Sequence, residues 1–259
     1  MILVIDCGNT NTVFALYSLN NNIEQKGCWR INNDSKRTAD IYYPWLLQML
    51  NLSNFKVKDI KGICIASVVP ETLFNIKHLI NKYFKILPLI VGEGNLDLGL
   101  KVNIDNPKEA GADRLVNSYA AEKLNLSPAI IIDFGTATTF CAVSQDKVYH
   151  GGAIIPGIRL STEALTNNTA KLPSVEIVKK EHLVGRTTIE SIQSGVYYAA
   201  LGACREIITG MQKELFADNP ATIIATGGFA SLFDAKGLFD SIVPDLVLQG
   251  IRFAALHNR

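Results

Sequence analysis

Val4-Ile5-Asp6-Cys7-Gly8-Asn9-Thr10-Asn11-Thr12 decides the reading of this chain, because Ile131-Ile132-Asp133-Phe134-Gly135-Thr136-Ala137-Thr138-Thr139 repeats it. Aligning Asp6 with Asp133 matches Gly8 with Gly135 and Thr12 with Thr139. In each copy an apolar run surfaces at an acid and turns at glycine into small hydroxyl and amide residues. Each then re-enters β-branched and aromatic runs, the pattern of a hairpin. A glycine turn exposes backbone N–H groups, and neighbouring Thr and Asn side chains add donors suited to phosphate oxygens. The acid can hold a cation, directly or through water. A lone Asp-x-Gly would be read as a turn and nothing more. Two copies, each heading one half of the chain, point instead to duplicated halves facing each other across a nucleotide.

With 259 residues, the chain has length for two ordinary domains. Apolar content of 48% with 19% charged residues is that of a globular protein. A net charge of +1 gives no electrostatic reason to expect nucleic acid or a membrane surface as partner. The five cysteines, Cys7, Cys28, Cys64, Cys141 and Cys204, are scattered and never spaced Cys-x-x-Cys. That spacing argues for a reducing compartment and against a disulfide framework or structural zinc. Met1 leads straight into an apolar strand without a basic leader, and no apolar run reaches bilayer length. A cytoplasmic protein is expected.

Outward from the first motif, strands are expected over 1–6, 12–19 and 24–32, the last two joined at Asn20-Asn21-Asn22. Asn33 to Arg37 reads as polar loop, followed by a helix with Pro44 near its first turn. Ile60 to Val69 is a strand buried on both faces, Pro70 opens an amphipathic helix, and Ile86 to Val91 is another strand. Gly92 to Pro107 is a loop, and a helix over Lys108 to Asn125 bridges the halves. Around the second motif, strands 129–133, 137–145 and 147–155 precede Pro156-Gly157 and a helix through Leu160 and Leu165. Asn167 to Lys180 is loop. A long helix covers 187–216, Ala221 to Ala225 is a strand ending in Thr226-Gly227-Gly228, a helix runs through Phe229 to Phe233, and 250–257 closes the chain. The domain division is expected at 1–115 and 116–259.

Neither the Walker A nor the dinucleotide-fold glycine pattern occurs, and His78, His150, His182 and His257 are isolated. A second constellation is Gly111-Ala112-Asp113-Arg114. Glu109, Asp113 and Asn117 would share one helical face by their spacing, and like charges so placed oppose the helix slightly. Asp113 could accept a proton from an attacking hydroxyl and Arg114 could grip a carboxylate in two-point fashion. An ordinary solvated acid–base pair fits the same spacing. Thr226-Gly227-Gly228 could lie against a flat ligand, although such strand-to-helix turns are common. Thr187 or Thr188 would serve as helix N-cap.

With these residues in view, the chain resembles the type III pantothenate kinases of the acetate and sugar kinase, heat-shock ATPase and actin superfamily. The likeness runs through Asp6 to Thr12, Gly111 to Arg114, Asp133 to Thr139, Gly152 to Gly157, Gln193-Ser194-Gly195 and Thr226-Gly227-Gly228. It implies an α/β fold of two ribonuclease-H-like (actin-like ATPase) domains, with mixed sheets flanked by helices. The activity implied is ATP-dependent phosphorylation of the primary hydroxyl of pantothenate, the first step toward coenzyme A. By that resemblance Asp6, Cys7, Gly8, Asn9, Thr10, Asn11, Thr12 and Val13 form the ATP phosphate loop, with Asp6 near Mg²⁺ and Thr136 a further ATP contact. Asp113 would be the proton acceptor, within a pantothenate-binding segment Gly111, Ala112, Asp113 and Arg114. Thr188 would bind substrate, and Asp133 would hold a monovalent cation, K⁺ or NH₄⁺. A homodimer is implied. Two positions depart from the pattern: Ile104 stands where relatives often have tyrosine, and Cys141 where they commonly carry an acid. A non-catalytic nucleotide-binding transcriptional accessory protein, or a kinase of another small hydroxy acid or a sugar, are the alternatives.

Overall fold

The computed structural model describes residues 1–20, 24–34 and 36–258, and of Ala235 and Lys236 the backbone only. The expected turn at Asn20-Asn21-Asn22 lies partly outside the described residues. The chain forms two compact units: Met1–Leu100 with Asp105–Leu124 and Val247–Arg259, and Lys101–Ile104 with Asn125–Leu246.

In the first unit, β1 (Ile2–Cys7), β2 (Asn11–Tyr17) and β3 (Gln25–Asn32) form an antiparallel meander. On the other side of β1 lie β4 (Gly62–Ser67) and β5 (Leu89–Ile90), both parallel, giving the order β3-β2-β1-β4-β5. The unbroken apolar run of β1 follows from burial on both faces. Leu3, Ile5 and Cys7 enter a core with α1 (Ala39–Leu52) and α2 (Pro70–Leu79). Ile2 and Val4 enter a second core with α3 (Ala112–Lys123) and α6 (Leu246–His257).

The second unit repeats the plan. β7 (Ala129–Phe134), β8 (Ala137–Val143) and β9 (Val148–Pro156) make the meander. The parallel strands β10 (Thr222–Thr226) and β11 (Ser241–Ile242) continue it beyond β7. The order β11-β10-β7-β8-β9-β6 gains one short strand, β6 (Lys101–Val102), parallel to β9. Ile130, Ile132 and Phe134 of β7 pack with Ile158 of α4 (Ile158–Asn167) and Tyr197 and Leu201 of α5 (Thr188–Leu215). The duplication therefore extends from the motif to whole sheets.

Several elements differ from the sequence reading. Lys108 to Asn125 is not one helix: Pro107–Glu109 forms a 3-10 turn, Gly111 is extended, and α3 starts at Ala112. Glu109 therefore stands off the helix, and the expected like-charge face with Asp113 does not form. Pro44 lies inside α1 rather than in its first turn. The loop Gly92 to Pro107 contains β6, Ala230–Lys236 is a 3-10 segment, and α6 begins at Leu246. The first compact unit takes in α3 and, from Val247 onward, α6, and both cover one face of its sheet.

Candidate active site

Side chains alternate along a strand, so Asp6 projects to the same face as Ile2 and Val4, the face covered by α3. Asp113 is the second residue of α3. The two carboxylates thus belong to one side of one sheet, at the carboxyl ends of the parallel strands β1 and β4. Val68 ties them together locally. Its N–H donates to Cys7 O at 3.1 Å. A Cβ placed on Gly111 would come within 3.7 Å of Val68 Cγ1, and only 2.6 Å from Asp113 Oδ1. Glycine at 111 is what leaves room for the Asp113 carboxylate, which accepts from Arg114 N–H at 2.8 Å.

Burial pushes the Asp113 carboxyl above the usual carboxylate range, against the pull of the Arg114 N–H and its guanidinium. A carboxylate so placed is a better proton acceptor than one in water. The Arg114 guanidinium Nη2 donates to Glu109 O at 3.4 Å.

The first turn spans Gly8-Asn9-Thr10 and is closed by Gly8 N–H donating to Asn11 O at 3.0 Å. Asn9 and Thr10 are exposed, while Cys7, Thr12 and Val13 are buried. The Cys7 side chain belongs to the α1/α2 core, where burial pushes its thiol strongly up, with the Asp6 charge adding to the effect. Cys7, Thr12 and Val13 therefore shape the loop from within, and its exposed tip is Asn9-Thr10.

The second turn is one residue shorter. Gly135-Thr136 joins β7 to β8, with Gly135 N–H donating to Ala137 O at 3.1 Å. Cys7 pairs with Thr12 but Phe134 pairs with Thr138, and Asp6 faces Val13 where Asp133 faces Thr139. The alignment of Thr12 with Thr139 holds in sequence and fails in register.

Asp133 is crowded by glycine turns. On its other side it pairs with Thr226, and a Cβ on Gly227, whose φ is +88°, would lie 2.4 Å from Asp133 Oδ1. One on Gly157 would lie 2.3 Å from Thr136 O. Thr226-Gly227 and Pro156-Gly157, weak signals singly, are thus assembled around the second motif. Cys141 is buried two residues along from Thr139 in β8, its Sγ 4.0 Å from Tyr149 Oη, and Ile104 packs on Gly151.

Elsewhere in this unit, Thr187 caps α5 by accepting from Glu190 N–H at 3.1 Å. Glu190 in turn accepts from the N–H of Arg186, the residue before the cap, at 2.7 Å. Thr188, exposed, lines a cavity of about 660 Å³ with Ser191, Gly195, Ser161 and Leu165. Among the described residues no group of three or more His, Cys, Asp or Glu side chains could hold a metal ion. A cation here would complete its shell from substrate phosphates and water, as Mg²⁺ commonly does. No helix among the described residues is long and apolar enough to cross a membrane.

Asn33 escaped the sequence reading, which left it in a loop. Its contacts are with residues 21 to 39 positions away, and only the repeated use of Asn around the first turn hinted at it.

Paired meander sheets with flanking helices define the class: the fold is that of the actin-like ATPases and sugar kinases. A Baf family protein of Campylobacter jejuni shares it at TM-score 0.60 and 17% identity, over 99% of this chain and 98% of that one. So does the activator of 2-hydroxyisocaproyl-CoA dehydratase from Clostridium difficile, at TM-score 0.52 and 10% identity, over 99% and 93%. Within that class the sequence is more specific. The profile of the type III pantothenate kinases matches residues 2–210. A type III pantothenate kinase of Legionella pneumophila (strain Corby) is 49% identical over 260 residues, covering 100% of this chain and 99% of that protein. This chain belongs to the type III pantothenate kinase family, and it is accordingly a phosphotransferase.

Proposed function

We propose that the chain transfers the γ-phosphoryl group of ATP to the primary hydroxyl of pantothenate, giving 4′-phosphopantothenate on the way to coenzyme A. The observation that carries the reading is the placement of Asp6 and a half-buried Asp113, whose carboxyl is pushed up by desolvation, on one side of the same sheet. Phosphoryl transfer passes through a loose transition state, so alignment and charge neutralisation matter more than strong base action. Asp113 orients the acceptor hydroxyl and takes its proton late. Arg114 holds the pantothenate carboxylate, with Gly111 and Ala112 forming the segment against it and Thr188 a further substrate contact.

The turn from Asp6 to Val13 holds the nucleotide phosphates, and Thr136 adds an ATP contact. A divalent ion bound with ATP would neutralise phosphate charge, and Asp6 is the carboxylate to hold it. Asp133, with Thr139 and Thr226 as its strand neighbours, fits a monovalent cation, K⁺ or NH₄⁺. The small-residue surface of α5 around Gly195 and Ala199 suits the approach of a second copy, so a homodimer is proposed. Five cysteines without a disulfide accord with a cytoplasmic location.

An ADP-release assay tests this directly. ADP formation should require pantothenate, and mass spectrometry should find the acceptor heavier by one phosphate. Preference for another hydroxy acid or a sugar in a competition series would reassign the substrate, and ATP binding without turnover would reject the kinase.

A further inference from the structure

We propose that Asn33 is the positioning residue that sets the shape of the Gly8-Asn9-Thr10 turn, an inference that rests on reading this turn as the phosphate loop. β3 ends at Asn32, paired with Asn11, and the next residue clamps the turn at both ends. Asn33 N–H donates to Thr10 O at 2.8 Å, and its Nδ2 donates to Gly8 O at 3.0 Å. Two hydroxyls aim the amide: Thr72 Oγ1 donates to Oδ1 at 2.7 Å and Thr12 Oγ1 at 3.4 Å. Thr72 and Thr12 are buried, at 1% and 0% exposure, so the amide is anchored from the core rather than from solvent. Its orientation is unambiguous, since Gly8 O can only accept and the group facing it must be the NH₂.

The consequence for an anion is geometric. A trans peptide is planar, with its C=O and following N–H opposed. Drawing Gly8 O toward Asn33 therefore turns Asn9 N–H the other way, on the exposed side of the turn where Asn9 and Thr10 stand. Asn33 touches no ligand itself and presets donors for one. Preset donors need no reorganisation when phosphate arrives, which is the condition for strong charge stabilisation.

Asn33→Ala in the full chain should raise KM for ATP about tenfold, the scale of a lost hydrogen bond, and leave KM for pantothenate unchanged. Calorimetry with a non-hydrolysable ATP analogue should show the same loss. Thr72→Val, which keeps volume and removes one anchor, should shift the nucleotide terms in the same direction by a smaller factor, and it is the deciding variant if Asn33→Ala does not fold. A purely structural role would lower the melting temperature of both variants with nucleotide KM and affinity unmoved, and that result would overturn the proposal. Loss of all pantothenate-dependent turnover in the wild type would instead reject the proposed function, while the calorimetric comparison would still decide the role of Asn33.

Discussion

Gly157→Ala tests the second turn without altering any atom proposed to meet a ligand. Gly157 has φ −69° and ψ 167°, which alanine adopts freely, so backbone conformation contributes nothing to the effect. Sterics contribute all of it. The new Cβ would sit 2.3 Å from Thr136 O and 2.6 Å from Gly135 O, both main-chain atoms of a turn held by the Gly135-to-Ala137 hydrogen bond of 3.1 Å. Restoring an ordinary 3.4 Å contact from 2.3 Å requires the turn and the start of α4 to separate by about 1 Å. Misplacing a positioned group by that distance costs on the order of 100-fold in rate. The pantothenate-dependent ADP-release assay should therefore show turnover down about 100-fold, with cooperative thermal unfolding retained. Gly210→Ala is the matched control: exposed within α5, with nothing within 4 Å of its Cβ, it should leave turnover alone. It should also stabilise the helix by about 0.5–1 kcal/mol. If Gly157→Ala turns over within about threefold of wild type, under 1 kcal/mol of barrier, the second turn is not positioned by this contact and the reasoning fails.

Asp113→Asn should lower turnover by at least about 100-fold, the lower range for a positioned acid–base group, with ATP affinity unchanged. Because burial raises the folded-state pKa of Asp113, its ionised form opposes folding. The protonated form favours the fold below the unfolded value near ~4, and that advantage is lost as pH rises through the raised value. The melting temperature of Asp113→Asn relative to wild type should accordingly be higher at pH 7 than at pH 4, and a constant difference would contradict the assigned burial. Sodium should substitute poorly for potassium if Asp133 holds the monovalent ion, and equal rates in the two chlorides would remove that role.

Much of the fold was legible because β1 and β7 are buried on both faces, which forces unbroken apolar runs that end abruptly at Asp6 and Asp133. Glycine turns with small polar residues marked where each run reversed. The register of the hairpins was not legible. Whether two or three residues bridge the strands depends on turn geometry, and one residue of slip exchanges which side chain faces the acid. The start of α3 was misplaced because Lys108 and Glu109 have helical propensity, whereas the Pro107 turn and the extended Gly111 interrupt the helix. Two-residue strands such as β6 carry no periodicity to read. Asn33 was invisible for a different reason: its partners are brought to it by three separate elements, and sequence spacing cannot express that.

The one-residue difference between the turns gives the two acids unlike surroundings. Across the strands Asp6 is flanked by Val13 and Ala66, and Asp133 by Thr139 and Thr226. We read the acid between apolar neighbours as the one suited to a divalent ion that arrives with phosphate oxygens. An acid among hydroxyls and the main chain of glycine turns already stands in an oxygen-rich nest, where the glycines at 135 and 227 admit the backbone closely. That environment suits a weakly hydrated monovalent ion, which asks for many oxygens and little charge. The duplication supplied two copies of one device, and a single-residue shortening is enough, on this reading, to divide their chemistry.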